Sequence, residues 1–321
     1  MTSLFSSPRR AAPFVLAAAL ASTSAMTLAP TAALAVPAGG YGGLGDGRRI
    51  CDAAGRDQQR PSAHLAPRMR LPVIVIARLL GVPEDMAPQL LRWSNAMVAM
   101  YMASRTRATE DAAASAAAEF SDYMRRYIDA RRNDPRDDLI TQLIAAEEDG
   151  TKLSTDELIG TCILLLNAGH EATVHSLGNG IKALLEQDVP IAPETADRTV
   201  EEILRFDPPL HMFTRMAYEE VEVFGHTFRR GDSVALLLAA ANRDPATWPA
   251  PATFDPARPP ATHTGFGGGL HFCVGAPLAR LEMSIALPIL MQRLPGLRLA
   301  EPPRYANLYH FHGLEALRAA W

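Results

Sequence analysis

Beyond residue 70, apolar residues recur at helical spacing along most of the chain. The run Leu71 to Val82 is apolar and closes at Pro83, and Met86 to Met102 and Asp111 to Arg132 carry further segments of the same period, which predicts three helices. Ser154-Thr155-Asp156-Glu157 has the form of a capping box, in which a serine and a glutamate three residues on satisfy each other's free backbone amides. It opens an apolar stretch that runs without proline to Gln187. As one helix of roughly 30 residues, that stretch reaches on the order of 45 Å, enough to cross a domain. Pro193 to Phe206 predicts another helix, stopped by Pro208-Pro209. The period then changes: Met212 to Leu238 alternates with β-branched and aromatic residues around Arg230-Gly231-Asp232, which predicts a small sheet. Asn242 to Pro260 is proline-rich and without periodicity, the mark of an ordered, irregular loop. The fold class expected is mainly α with a small β region.

The first 70 residues do not follow this pattern. Residues 1–40 are Ala-rich, with Arg9 and Arg10 ahead of the apolar part and Ala33-Leu34-Ala35 in the small-x-small form of a cleavage site; taken alone they read as a secretory signal. Pro13 and Pro30 make this a poor spanning helix. Residues 41–70 are glycine-rich and irregular, with no element placed in them. The organised domain is expected over 71–321.

Composition narrows the function. Of 321 residues 48% are hydrophobic, and 31 basic residues are spread among 35 acidic ones for a net charge of -4, so the chain builds a globular core and offers no basic block for nucleic acid. The three cysteines, Cys51, Cys162 and Cys273, are far apart and lack the pairing of a zinc site or a disulfide framework. A reducing compartment fits them. Cys162 sits in the apolar run Thr161 to Leu166 and reads as a buried small hydrophobe.

Cys273 is different. It follows Phe266-Gly267-Gly268-Gly269-Leu270-His271-Phe272 and precedes Val274-Gly275-Ala276-Pro277-Leu278-Ala279-Arg280. Glycines let backbone N–H groups approach the sulfur, and a helix starting near Ala276 aims its positive end at it, which favours the thiolate a metal needs. Gly275 and the preceding glycines leave a flat face for a large planar ring. A glycine-rich turn alone signifies little; the whole string is far more specific. It resembles, at every defining position, the haem-ligand signature of the bacterial cytochrome P450 family. That resemblance implies haem b as cofactor, Cys273 as the axial iron ligand, His271 as a contact to a haem propionate, and Phe266, Gly267 and Gly275 as the cofactor's surroundings.

Three further strings resemble the same family in the right order. Glu202-Ile203-Leu204-Arg205 is an E-x-x-R pair on one helix face, and resemblance joins it to Arg258 in the proline-rich loop. Phe213-Thr214-Arg215 resembles the strand whose arginine binds a propionate, which gives Arg215 that role. Ala168-Gly169-His170-Glu171-Ala172-Thr173 resembles the oxygen-binding stretch, where small residues (Ala168, Gly169) leave room over the iron and Glu171 relays protons. The family's usual threonine is replaced by Ala172, and Thr173 lies about 100° round the helix, so proton delivery is expected to lean on water or a substrate hydroxyl. A zinc reading of His170-Glu171 fails because the second histidine is His175, five residues on and about 140° away. The substrate pocket is expected to include Leu165, Ala168, Gly169, Ala172 and Met212.

The resemblance spans about residues 71 to 321 and lacks the family's N-terminal portion. What it implies is a monooxygenase inserting one atom of O2 into a small organic substrate, with electrons from a separate ferredoxin or flavodoxin-type donor and its reductase; the alternative is a truncated, catalytically inactive haem-binding remnant. No membrane span is expected. The location expected is cytoplasmic, or exported if residues 1–35 are a genuine signal peptide.

Overall fold

A computed structural model describes residues 62–64, 70–101, 105–145, 147–148, 151–307 and 311–321. The signal-like segment expected over 1–40 and Cys51 lie outside them, as does all of 41–70 except 62–64 and Arg70. The described residues fall into two compact units, 70–171 and 172–321 with 62–64.

In the first unit, α1 (Leu71–Leu80) carries Pro72 in its first turn, where a missing N–H goes unmissed. It ends at Gly81, whose φ of +85° is the left-handed cap that glycine adopts without penalty. Glycine is required there twice over, because a Cβ would fall 2.1 Å from Asp138 Oδ2. That carboxylate pairs with buried Arg131 at 3.0 Å, and Arg131 also donates to the Gly81 carbonyl at 3.1 Å. Helix α2 is Ala87–Val98, continued by a 3-10 turn to Tyr101. The next helix, α3 (Arg107–Asn133), starts four residues ahead of the expected Asp111, because Thr106 and Thr109 cap each other's amides. A short helix without an expected counterpart, α4 (Leu139–Ala145), is started by Asp138, whose carboxylate accepts from the Thr141 N–H at 2.9 Å. Ile76, Leu80, Leu90, Trp93, Phe120, Met124, Ile128, Ile140, Leu158 and Cys162 pack as this unit's core. The small ladder β2 (Glu147–Glu148) with β3 (Thr151–Lys152) precedes the next helix.

Helix α5 (Thr155–Glu186) is the long helix expected, 32 residues, or about 48 Å at 1.5 Å per residue. Its capping box is formed: Glu157 accepts from the Ser154 N–H at 2.9 Å.

The second unit takes the end of α5 with α6 (Ala196–Phe206) and α8 (Ala276–Arg293). Gly180 lets them close up: a Cβ there would meet Ile203 at 3.0 Å and Leu287 at 3.6 Å. Leu177, Ile181, Leu184, Val200, Ile203, Leu204, Met283 and Leu287 form the core. The expected small sheet is two antiparallel pairs. Strand β4 (Met212–Met216) pairs with β7 (Ser233–Leu237), setting Arg215 against Val234; β5 (Val221–Val223) pairs with β6 (His226–Phe228). Phe224 and Gly225, both at positive φ, make the latter a two-residue hairpin with the twist its strands require. After the short helix α7 (Leu238–Ala241) comes the irregular loop. Four C-terminal strands had no sequence counterpart: β8 (Arg298–Leu299), β9 (Arg304–Tyr305), β10 (Leu314–Ala316) and β11 (Arg318–Ala320). β11 pairs on one side with β8 and on the other with β1 (Ser62–His64), a strand within the stretch expected to be irregular.

Candidate functional site

The residues 264–280 fold as a hairpin-like loop running into α8. The Cys273 N–H donates to the Phe266 carbonyl at 3.0 Å, and the Gly267 N–H to the Thr264 carbonyl at 2.8 Å. Gly267 (φ +71°) and Gly269 (φ +65°) turn the chain between them, a conformation closed to most L-residues. His271 ends a 3-10 turn over Gly269–His271 and is exposed. Gly275 is the N-cap of α8, with Pro277 in the first turn.

At the centre is the Cys273 sulfur. Burial pushes its thiol pKa up, while hydrogen bonds from the Gly275 and Ala276 amides and the charge of Arg280 pull the other way. The backbone donors and the α8 N-terminus are therefore arranged to hold a negative sulfur. A Cβ on Gly275 would lie 3.9 Å from Sγ, whereas nothing lies within 4 Å of the Cβ positions of Gly268 and Gly269. Phe272 and Val274, either side of the cysteine, are 47% and 40% exposed. Cys162, by contrast, is fully buried, its thiol pushed up to about 12, and is inert packing as the sequence suggests.

The loop is braced from α6 at two points. Arg280 donates from Nε and Nη2, one edge of its guanidinium, to the two carboxylate oxygens of Glu201 at 2.5 and 2.9 Å, and lies 4.6 Å over the Phe266 ring. Glu201 also meets Nε2 of buried His263 at 3.2 Å. Since His263 Nδ1 accepts the Gly265 N–H at 3.0 Å, the ring's proton sits on Nε2 and faces the carboxylate. Its two partners hold Glu201 down to about 2 against the opposing effect of burial, the largest single contribution.

The second brace is the E-x-x-R pair. Glu202 and Arg205 are joined by two 2.7 Å hydrogen bonds, both side chains almost wholly buried. Arg205 spends its remaining donors on the carbonyls of Asn242, Pro251 and Thr253 at 3.0, 3.0 and 3.1 Å. The expected third partner is in place, Arg258 Nε lying 3.6 Å from Glu202. This is how an aperiodic loop is ordered: its carbonyls are satisfied by Arg205 and by Arg258, which donates to those of Pro249, Ala250 and Thr253. Asn242 then carries the connection onward, its side-chain oxygen accepting from the Thr264 N–H at 2.7 Å and hydroxyl at 2.9 Å. Sequence reasoning missed Asn242, Glu201 and His263, which have no spacing signal because their partners are distant in the chain.

The structure thus gathers Phe266, Gly267, His271, Cys273 and Gly275 into one loop. Arg215 stands exposed on β4, donates to its neighbour Thr214's carbonyl at 2.9 Å, and is in no ion pair among the described residues. Ala168, Gly169 and Glu171 lie on the part of α5 in the first unit, Ala172 and Thr173 on the part in the second. Gly169 has a packing reason of its own: a Cβ would meet Ile76 of α1 at 3.0 Å. Ala168 and Leu164 are exposed, whereas Leu165, expected to line the pocket, packs in the first unit's core; helical geometry puts neighbours 100° apart. Thr173 is buried. His170 is bonded to the Leu166 carbonyl at 2.7 Å and has Glu171 3.4 Å from its other nitrogen, while His175 packs on Phe311.

Comparison with known proteins decides the family. The chain is 36% identical over 257 residues to a steroid C26-monooxygenase of Mycobacterium tuberculosis (strain CDC 1551 / Oshkosh), which covers 77% of this chain and 68% of that protein. The chain belongs to the cytochrome P450 family. Residues 194–296 match the family model described as cytochrome P450. The polyketide biosynthesis cytochrome P450 PksS of Bacillus subtilis (strain 168) is 40% identical over 256 residues, 77% of this chain and 62% of that protein. The crystal structure of P450BioI with an acyl carrier protein superposes with a TM-score of 0.76 at 37% identity, over 81% of this chain and 69% of that one. The chain thus spans less than two thirds of the length of PksS and just over two thirds of the other two proteins. The cofactor this P450 family implies is haem, and the loop fits it: one sulfur with two amide donors, a glycine-lined approach free of side chains, and exposed apolar neighbours.

Proposed function

We propose that this chain is a haem-thiolate monooxygenase whose haem domain is residues 71–321 and whose iron ligand is Cys273. The observation carrying this reading is the Cys273 loop itself, a partly buried cysteine whose sulfur is held by the Gly275 and Ala276 amides at the start of α8. When bound, haem supplies the redox chemistry that inserts one atom of O2 into a small organic substrate and reduces the other to water, at the cost of two electrons. The chain's own residues do the rest. The amides favour the anionic sulfur against its burial and aim it. Phe266, Gly267 and Gly275 give the ring a flat seat, and His271 and Arg215, both exposed, bind its propionate carboxylates as charge-assisted donors. Ala168 and Gly169 leave space on α5, and Glu171 moves protons from its carboxylate. With Ala172 in place of a hydroxyl and Thr173 turned inward, the last proton comes through water or a substrate hydroxyl.

The electron donor is a ferredoxin or flavodoxin with its reductase, and the compartment the cytoplasm; among the described residues no helix is long and apolar enough to cross a membrane. The names of the relatives, one for polyketide biosynthesis and one for steroid C26 oxidation, direct the first substrates to try. The test is turnover under 18O2 with a ferredoxin and its reductase. One label per product molecule supports the reading. Haem uptake with reduction of the iron but no labelled product from any substrate favours the second reading, a haem-binding chain that has lost catalysis.

A further inference from the structure

Beyond the last turn of α6 lies a cluster that has no part in the cysteine loop or its two braces. Asp207, the residue after α6, is buried; His211 follows four residues on, and His312 comes from the C-terminal segment ahead of β10. One ligand atom from each, two imidazole nitrogens and a carboxylate oxygen, lie within 4.8 Å of one another. Asp207 Oδ1 and His312 Nε2 are already 3.0 Å apart.

The surroundings hold these groups in place. The Asn179 amide on α5 donates to the carbonyls of both Asp207 and His312, at 3.2 and 3.0 Å, so a single side chain ties the backbones of two cluster members together. The His312 N–H donates to the Pro209 carbonyl at 2.7 Å. The Tyr305 hydroxyl donates to the second carboxylate oxygen, Oδ2, which orients Asp207 as outer partners of metal-bound carboxylates do. The rings of Tyr305, His312 and His211 stack in that order with centroids 3.9 Å apart at each step.

We propose that Asp207, His211 and His312 bind a first-row divalent transition-metal ion of the zinc class. Two imidazoles and one carboxylate select zinc, nickel or cobalt over calcium and magnesium, which prefer all-oxygen cages. Ligand bonds of about 2.0–2.2 Å require the three atoms to close to about 3–3.5 Å, and because an imidazole lone pair lies in the plane of its ring, His211 must turn out of its stack on His312 to bind. The ion replaces the Asp207–His312 contact and clips the segment after α6 to the C-terminal residues.

The test is equilibrium dialysis of the full chain against zinc, followed by metal analysis and thermal unfolding. Wild type and His226→Ala, whose histidine lies on β6, should retain one equivalent and unfold at higher temperature with zinc. His211→Gln and His312→Gln should bind at least tenfold more weakly and lose that shift. X-ray absorption of the zinc-loaded wild type, which does not depend on any variant folding, should show imidazole nitrogens at about 2.0 Å and no sulfur. No retained equivalent in the wild type, equal retention in the two glutamine variants, or a sulfur shell placing zinc on a cysteine would each overturn the proposal.

Discussion

Arg280, seven residues beyond Cys273, is locked to Glu201 of α6 by two hydrogen bonds of 2.5 and 2.9 Å while its guanidinium covers the Phe266 ring at 4.6 Å. The last residue of the cysteine motif thus holds the motif's first residue, and fastens both to another helix. A lysine keeps the charge but neither the fork nor the flat face. Arg280→Lys is therefore expected to cost about 1 kcal/mol of stability, since the pair is partly exposed, and to weaken haem retention several-fold. Thermal unfolding and haem transfer to apomyoglobin measure the two; unchanged haem retention would show that the loop does not depend on this brace.

Asn242 is fully buried and joins two sites at once: its carbonyl takes Arg205 and its side chain takes Thr264. Asn242→Ala strips the Thr264 N–H of its acceptor, while the Thr264 hydroxyl keeps the Leu238 carbonyl at 2.7 Å, at about 1–3 kcal/mol. Asn242→Asp keeps the acceptor and should recover part of the loss. Urea unfolding of the two variants checks the order; an alanine variant as stable as wild type would dissolve the link between the E-x-x-R pair and the cysteine loop.

Much of this was legible in the sequence, for physical reasons. Helices α3 and α5 advertise themselves through long apolar periods, and the cysteine loop through the resemblance of its whole string, since a glycine-rich turn alone signifies little. The E-x-x-R pair and Arg258 came from resemblance and meet as implied. Strands β8 to β11 were not legible because two or three residues make no period, and their pairing is with distant chain. Glu201 was hidden for a different reason: it sits beside Glu202 and looks like one more surface acid until the fold brings His263 and Arg280 to it. Leu165 packs in the core of the first unit while its neighbour Leu164 is exposed, a difference that one step of 100° on a helix makes.

At Gly81 both backbone and space demand glycine. Gly81→Ala is expected to destabilise by at least about 1–3 kcal/mol from the left-handed backbone, with further loss as Asp138 is pushed off Arg131. Chemical denaturation of the variant measures it, and a neutral result would mean that the Asp138–Arg131 pair tolerates displacement.

Glu282, on α8 nine residues past Cys273, is buried with neither carboxylate oxygen hydrogen-bonded among the described residues. Burial raises its pKa from an ordinary 4.5 to about 8. The folded chain then keeps a proton that the unfolded chain releases, so this group's contribution to stability is complete below pH 4.5 and is lost as pH rises through 8. The loss is on the order of 2–4 kcal/mol. Glu282→Gln should remove it, matching wild type at pH 5 and exceeding it at pH 8.5 in urea unfolding; parallel pH profiles for the two proteins would contradict this.

The central claim is that Cys273 is a thiolate ligand, and its most direct test is the absorption spectrum of the haem-loaded chain, reduced and exposed to carbon monoxide, beside Cys273→Ser. A long-wavelength Soret band present in the wild type and absent from the serine variant is the predicted result. No haem uptake by the wild type, or the same spectrum from both proteins, would contradict it.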